Sequence, residues 1–436
     1  MDDGILIYVP AVNARIHYTF GFVFGILGVP YRFTTKLEEF VAYNGPKFSY
    51  TQSRLSSEFH VHASGLLQEK GLHRHRIVTK KWEGLTVIFP SETEASLPFD
   101  IFSGIFYLIS RYEEYVNDAG DEHGRFGYQQ SLAYREGFLE QPLVDLWLDR
   151  FKKVFEAQHP GFRFPEPHFY FRPLLSVSIS HLFKHKGLIR QLGGVVENLF
   201  LFQFKNVSQR ILYAFTRKRD PYDTFYKIIA LKKQYEHPLL SFFLIGPFTD
   251  FDHNVSLNRP AFRKVIKTMS DYSEVGLMIS YYKALDEETI KSRRLQLERL
   301  IHKPVDKTHF HYYRHRVPQS YRLLSKLEFS EDYSCGYPKH IGYRASTAHP
   351  FYFYDLEEEE PTELLVFPVV VTDYHLNFIH RLSPEQALEK LLEIGRQTRK
   401  TGGHFQPLFH NSVLSEYEDW KNWSNVYIKV LENYAT

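Results

Sequence analysis

Apolar and polar positions follow two different rhythms along this chain, and the change of rhythm divides it. The first part is a loose α/β pattern. Residues 5–9 (Ile-Leu-Ile-Tyr-Val) predict a strand, the Gly-broken apolar stretch Tyr18 to Pro30 a core helix, and Tyr31-Arg-Phe-Thr-Thr a second strand. Between about 40 and 95 the pattern is mixed, with Leu85-Thr-Val-Ile-Phe-Pro90 the clearest strand. A helix is predicted from Ile101 to Val116, with Ile101, Ile105, Phe106, Leu108 and Ile109 on one stripe and the charged turn Arg111–Tyr115 at its end. A second amphipathic helix runs from Pro142 to Ala157, and Asp121–Phe126 between them reads as a solvated loop carrying His123 and Arg125. Pro160, Pro165, Pro167 and Pro173 then mark the best boundary in the chain. The expected domains are a small α/β domain over 1–165 and a larger one over 173–436.

Beyond the prolines, strands and helices alternate regularly. The strands are 175–180, 240–246, 275–281, 308–313, 331–335, 363–371 and 404–410. Helical patterns fall at 223–236, 259–271, 286–302, 318–327, 383–400 and 416–434, while 336–362 is mainly loop. Asp223 is the expected cap of the first helix. Ser383-Pro-Glu-Gln386 is a capping box, and Gly402 stands just past that helix's last turn. Seven βα units over some 260 residues predict a parallel sheet, most economically a closed or nearly closed barrel; a doubly wound sheet is the alternative. On the first strand, alternation puts Ser176, Ser178 and Ser180 on one face and Leu175, Val177 and Ile179 on the other. That face is either the wet side of an edge strand or the wall of a polar pocket.

Composition narrows the function classes only a little. The 436 residues are 43% hydrophobic and 24% charged, with a formal net charge of +2, which fits a folded chain of two or three domains. No long basic stripe supports nucleic-acid binding. One cysteine, Cys335, excludes an intrachain disulfide and a Cys-based zinc knuckle. No stretch reads as a signal or a membrane span, so the expected compartment is the cytoplasm. Aromatic residues reach 17%, which suits large cores and sugar-stacking surfaces equally. The run Asp355–Glu360 reads as a solvated acidic loop.

In a (β/α) barrel the site is built where strands end. Those ends carry Ser178, Ser180 and His181; Asp250 and Asp252; Met278 and Ser280; His309, His311 and Arg314; Asp373; and His410 with Asn411, and the loop after the fifth strand carries Arg344. Polar residues at so many strand ends favour a shared pocket over an edge strand. His309 and His311 share a strand face, a spacing compatible with metal ligation, although the chain has 22 histidines. Asp250 and Asp252, in a Thr-Asp-Phe-Asp turn, read first as loop-formers.

The residues from 173 onward resemble the polysaccharide deacetylase (NodB-homology) family, in a bacterial branch with an added N-terminal domain. The resemblance rests on Asp220-Pro-Tyr-Asp-Thr224, His311–Arg322, Asp332-Tyr-Ser-Cys-Gly336, Gly342-Tyr-Arg-Ala-Ser346 and Gly402-Gly-His-Phe with His410-Asn-Ser412; Phe99–Phe126 and Ser131–Pro142 resemble the added domain. It implies a distorted seven-stranded (β/α) barrel and metal-assisted removal of an acetyl group from an N-acetylated sugar, with an Asp as base and a late His at the departing group. The family's first strand reads Thr-Phe-Asp-x-Asp, where this chain has Ser178 and Ser180. A metal-binding His is replaced by Met278, and of Arg-Gln-His only the last residue, His311, is kept. His410, Asp373 and Arg344 match. A serine hydroxyl cannot replace a carboxylate base, and Ser and Met are poor ligands for such an ion.

The sequence therefore predicts a deacetylase-like pseudoenzyme that binds carbohydrate or partners an active relative, without a metal cofactor. His410 and Asp373 are the retained family positions; Ser178, Ser180, His181, Met278, His311 and Arg344 are the expected pocket residues. Two alternatives stand beside it. One is an active N-deacetylase whose zinc-like ion is held by His181, His309 and His311. The other is a structural assembly protein with a filled pocket.

Overall fold

The computed structural model describes residues 4–92, 94–117, 120–187, 208–209, 211–213 and 216–435. Its first part is built on four short strands, β1 (Ile5–Tyr8), β2 (Tyr31–Thr34), β3 (Lys47–Thr51) and β4 (Phe59–His62), all parallel in the order β2-β1-β3-β4. The helix Ala14–Leu27 starts at Asn13, whose side chain accepts from Ile16 N–H, and ends at Gly28 in the left-handed region. Aromatic side chains fill the space between this sheet and its helices. Phe20 stacks on Phe102 with centroids 4.1 Å apart, and Phe48 stacks on Phe102 at 5.7 Å. A hairpin of β5 (Thr79–Trp82) and β6 (Leu85–Ile88) follows.

The helix expected over 101–116 breaks in two, Ile101–Ile109 and Tyr112–Val116. The break is at Arg111, whose φ of 57° leaves the helical region and turns its guanidinium inward. The helix Leu143–Gln158 follows the predicted span closely.

After a short β7 (Tyr170–Phe171), the second part is an eight-stranded mixed sheet: β8 (Leu174–Val177), β9 (Leu240–Leu244), β10 (Glu274–Ile279), β11 (Lys307–Phe310), β12 (Glu331–Cys335), β13 (Phe351–Asp355), β14 (Glu360–Pro368) and, after β15 (His404–Phe405), β16 (Leu408–His410). The order is β13-β14-β12-β11-β10-β9-β8-β16, and every pairing except β13 with β14 is parallel. The sheet curls like half a barrel. Beyond β14 the chain comes back to β16, where Thr372 bridges Leu408 and Leu408 N–H donates to Val371 O at 3.1 Å.

β8 lies between β9 and β16, so its one serine, Ser176, is not on the wet face of an edge strand, and Ser178 and Ser180 fall beyond the strand's end. One predicted strand and one predicted loop change form. The stretch 404–410 splits at Gln406-Pro407 into β15, which pairs with β7, and β16, which pairs with β8. The stretch read as loop contains β13. Thr224, not Asp223, is the N-cap of the helix Phe225–Tyr235, and it makes no side-chain capping bond. The capping box at Ser383 and the left-handed Gly402 are both present. The acidic run is not simply solvated: Arg322 holds Asp355, and Arg15 is ion-paired with Glu359. Among the described residues no helix is long and apolar enough to cross a membrane.

Candidate functional site

Parallel strands all point their C-terminal ends the same way, so the side chains just beyond them meet at one mouth. A cavity of about 300 Å³ opens there. Ser176 and Ser178 line it from the end of β8, His309 and His311 from β11, and His410 from β16. Among the described residues the two serine hydroxyls have no hydrogen-bond partner. Ser176 pairs with His410 in the strand ladder, which sets the two on the same face.

Two histidines are held by buried carboxylates. Nδ1 of His410 lies 2.7 Å from Oδ1 of Asp373, whose other oxygen accepts the His410 backbone N–H at 2.7 Å. Nδ1 of His311 lies 2.8 Å from Oδ1 of Asp252. Asp252 also accepts the backbone N–H of Tyr281, so this residue of the turn serves the site rather than only the loop. Nδ1–H of each imidazole goes to a carboxylate, which leaves Nε2 as the atom that faces a ligand. Among the described residues neither Nε2 has a hydrogen-bond partner. Burial holds His311 below the ordinary histidine range, against the pull of Asp252, and a charge on His410 opposes one on His311. His309 gives its Nδ1–H to Tyr333 O at 2.7 Å, and burial pushes it down to about 4.

Aromatic rings form the walls, among them Phe251, Tyr312, Tyr374, Phe378 and Trp420. Phe251 stacks on Tyr281 with centroids 3.9 Å apart. Tyr312 and Tyr374 are 40% and 46% exposed, so they reach the rim. Tyr312 and Tyr313 both take positive φ, 59° and 55°, a costly pair for large side chains. That kink directly after β11 is what brings His311, Tyr312 and Tyr313 all onto the cavity.

Several expected pocket residues stand elsewhere. Ser180 and His181 do not line the cavity: Ser180 N–H donates to Asn254 Oδ1, and His181 Nδ1 lies 3.2 Å from Ser180 Oγ. Met278 is fully buried in an apolar cluster with Leu174, Phe242, Leu244 and Tyr333. Arg344 is a structural residue. It donates to both oxygens of Glu114 and to Gly336 O, and it borders a different cavity, of about 390 Å³, beside His315 and Arg316. Conversely, the loop 121–126 is not merely solvated. Arg125 is buried, bonded to Asp121 and to Tyr312 O, and lines the His-bearing cavity; His123 Nδ1 lies 2.6 Å from Tyr281 Oη. Asp252 was among the strand-end residues the sequence marked, though it read first as a loop-former, whereas for Arg125 sequence patterning gave only a loop position.

A divalent ion such as zinc is what the sequence resemblance implies, and the residues do not fit one. Among the described residues no three His, Cys, Asp or Glu side chains come together around a common point. The matching positions hold a hydroxyl, Ser178, and a thioether, Met278, which is shut into the core. His181 of the alternative ligand set is outside the cavity that His309 and His311 share.

Residues 5–160 match a family model described as a family of unknown function (DUF7033). No curated protein matches the chain. Among solved structures, a crystal structure of Puue allantoinase aligns over 63% of this chain and 88% of its own length, at 14% identity and a TM-score of 0.38.

Proposed function

We propose that this chain is a deacetylase-like protein that binds a carbohydrate in the His-lined cavity and does not carry out metal-dependent N-deacetylation. On this reading the curled sheet is a distorted seven-stranded barrel, made of the seven parallel strands and closed at Thr372–Leu408, with β13 added outside it. The observation that carries the reading is the pairing of loss with retention. Ser178 stands on the cavity wall where the family has a carboxylate, and Met278 has withdrawn into the core, while His410 and Asp373 remain joined at 2.7 Å. A pocket that merely filled with side chains would not keep about 300 Å³ open. Aromatic walls beside hydroxyl and imidazole groups suit a sugar ring, which presents C–H faces and hydroxyl edges.

Calorimetric titration with neutral oligosaccharides tests this, beside a measurement of bound metal. Saturable binding is expected, weakened about tenfold in Trp420→Ala through the loss of one ring contact of about 1.4 kcal/mol. Tight zinc at one ion per chain, together with acetate release from an N-acetylated glycan, would restore the active deacetylase with His309 and His311 as ligands. No binding across the panel would favour the assembly protein.

A further inference from the structure

The cavity of about 390 Å³ beside His315 lies apart from the His-bearing one, with no lining residue in common. Its walls come from both parts of the chain: Gly124 and Phe126 from the first, His315, Arg316 and Gln319 from the turn after β11. His315 is 2% exposed. Its Nε2 lies 3.2 Å from Nη2 of Arg111, a group that can only donate, so Nε2 accepts and the ring proton sits on Nδ1. Burial, with Arg344 and Arg111 alongside, holds this ring well below the ordinary histidine range, so it is neutral. Among the described residues Nδ1 has no hydrogen-bond partner, and a buried donor without an acceptor is a standing cost that a ligand atom can remove. Arg316 lines the same cavity. Its Nε donates to Gly124 O at 3.2 Å, and among the described residues its charge has no carboxylate partner. The helix Gln319–Lys326 starts there too, with Val317, Pro318 and Gln319 on the wall. Among the described residues no side chain caps it and no acidic residue stands in its first turn, so the positive end of its dipole is unopposed. A spare buried donor, an unpaired guanidinium and an uncapped helix start all favour negative charge and hydrogen-bond acceptors in one place.

We propose that this second cavity binds a small organic molecule by a single oxyanion group, carboxylate or phosphate, seated between Arg316, His315 and the start of the helix Gln319–Lys326. The volume is that of a small-molecule site and far more than an inorganic ion fills. Phe126 and the half-exposed Leu285 supply apolar wall for the rest of the molecule. Two carboxylates also border the cavity, and both are engaged: Glu114 between Arg111 and Arg344, and Glu357 with Arg322 at 2.9 Å. Their charge would repel a second anionic group, which limits the ligand to one. The site does not depend on the carbohydrate reading. Because its walls belong to both parts of the chain, an occupant ties Gly124 and Phe126 to the segment that follows β11.

The test titrates the full chain by calorimetry, at low ionic strength, with benzoate, phenyl phosphate and the neutral control benzyl alcohol. Saturable binding of one anion per chain is expected, with benzyl alcohol weaker by about tenfold or more; the tighter of the two anions names the group. Arg316→Gln should weaken that anion about tenfold or more. Gln319→Glu, which sets a carboxylate at the helix start, should weaken it as well, and both variants should keep the wild-type circular dichroism. Saturating anion should raise the thermal unfolding midpoint of the wild type and leave that of Arg316→Gln where it was. The inference is overturned if neither anion saturates, or if benzyl alcohol binds as tightly as the anions. It is equally overturned if Arg316→Gln binds the anion as the wild type does, because the anion then sits elsewhere.

Discussion

Glu114 sits between two arginines from different parts of the chain, and replacing it with Gln should unfold much of what they join. Its Oε1 accepts from Nε of Arg111 at 2.6 Å and from Nε of Arg344 at 2.9 Å; its Oε2 accepts a second N–H from each, at 2.5 and 2.7 Å. All three side chains are at most 5% exposed. Gln keeps the shape, but it removes the charge and turns an N–H₂ toward a guanidinium. Breaking a buried pair by removing one partner costs about 3–5 kcal/mol, because the remaining charges stay buried. A second route gives a similar figure. The two arginines hold the Glu114 carboxyl down at about 2 against its ordinary 4.5, worth about 3 kcal/mol at neutral pH. The sign follows from the depressed value. The stabilisation is complete above the ordinary carboxylate value and is lost as pH falls from about 4.5 toward 2. Other carboxyls titrate in the same range, so the informative quantity is the difference between wild type and E114Q in urea unfolding. It should be about 3–5 kcal/mol at pH 7 and shrink toward zero near pH 2. A difference below about 1 kcal/mol at pH 7, the range of an exposed ion pair, would refute the argument.

Asp145 carries the opposite sign: burial raises it to about 7, so ionising it costs stability as pH climbs from about 4 to 7, and D145N, which can still bridge Thr347 Oγ1 and Ala348 N–H, should lose that dependence. D145A, which leaves both groups unpaired, should lose about 1–3 kcal/mol in denaturant titration at pH 5. At Gly336 an added Cβ would meet Val369 O at 2.3 Å, so G336A should lower the unfolding midpoint, at a cost of about 2–3 kcal/mol. R125A should weaken ligand binding in the His-bearing cavity several-fold in the same calorimetric titration while leaving the sheet's circular dichroism unchanged. A fragment of residues 168–436 should lack near-ultraviolet circular dichroism, since it exposes the partners of Glu114, Asp145 and Tyr18.

The parallel strands were legible because strands buried on both faces read as short apolar runs between helical stretches. Each of the first five falls within a few residues of its predicted place. β13 was missed for a physical reason: it is antiparallel to β14, needs no crossover helix, and so sits inside what reads as a long loop. The helix through Arg111 was drawn too long because its apolar stripe continues past the break; the break serves the Glu114 contact, which is invisible until the second half of the chain is in place. The site was legible in part. His410 with Asp373 and Ser178 with His311 meet where the strand ends predicted. Ser180 and His181 were misplaced because β8 stops at Val177, after which alternation no longer decides which way a side chain points.

Arg344 shows why a matching residue is weak ground for a site. It agrees with the family motif, yet all of its hydrogen bonds go to Glu114 and Gly336. A motif can persist because the fold needs it, and the same holds in reverse for the first half of the chain. Its sheet carries no readable chemistry, but Arg125 bonds Tyr312 O and stands on the cavity wall, and His123 lies against Tyr281, the ring on which Phe251 stacks. Arg15 meets Glu359 and the Tyr18 hydroxyl donates to Tyr352 O on β13. The helix Ala14–Leu27 and the loop 121–126 therefore give the N-terminal part polar contacts with the second part on both the structural and the cavity side. A substitution in the N-terminal loop can alter binding without touching any residue of the curled sheet.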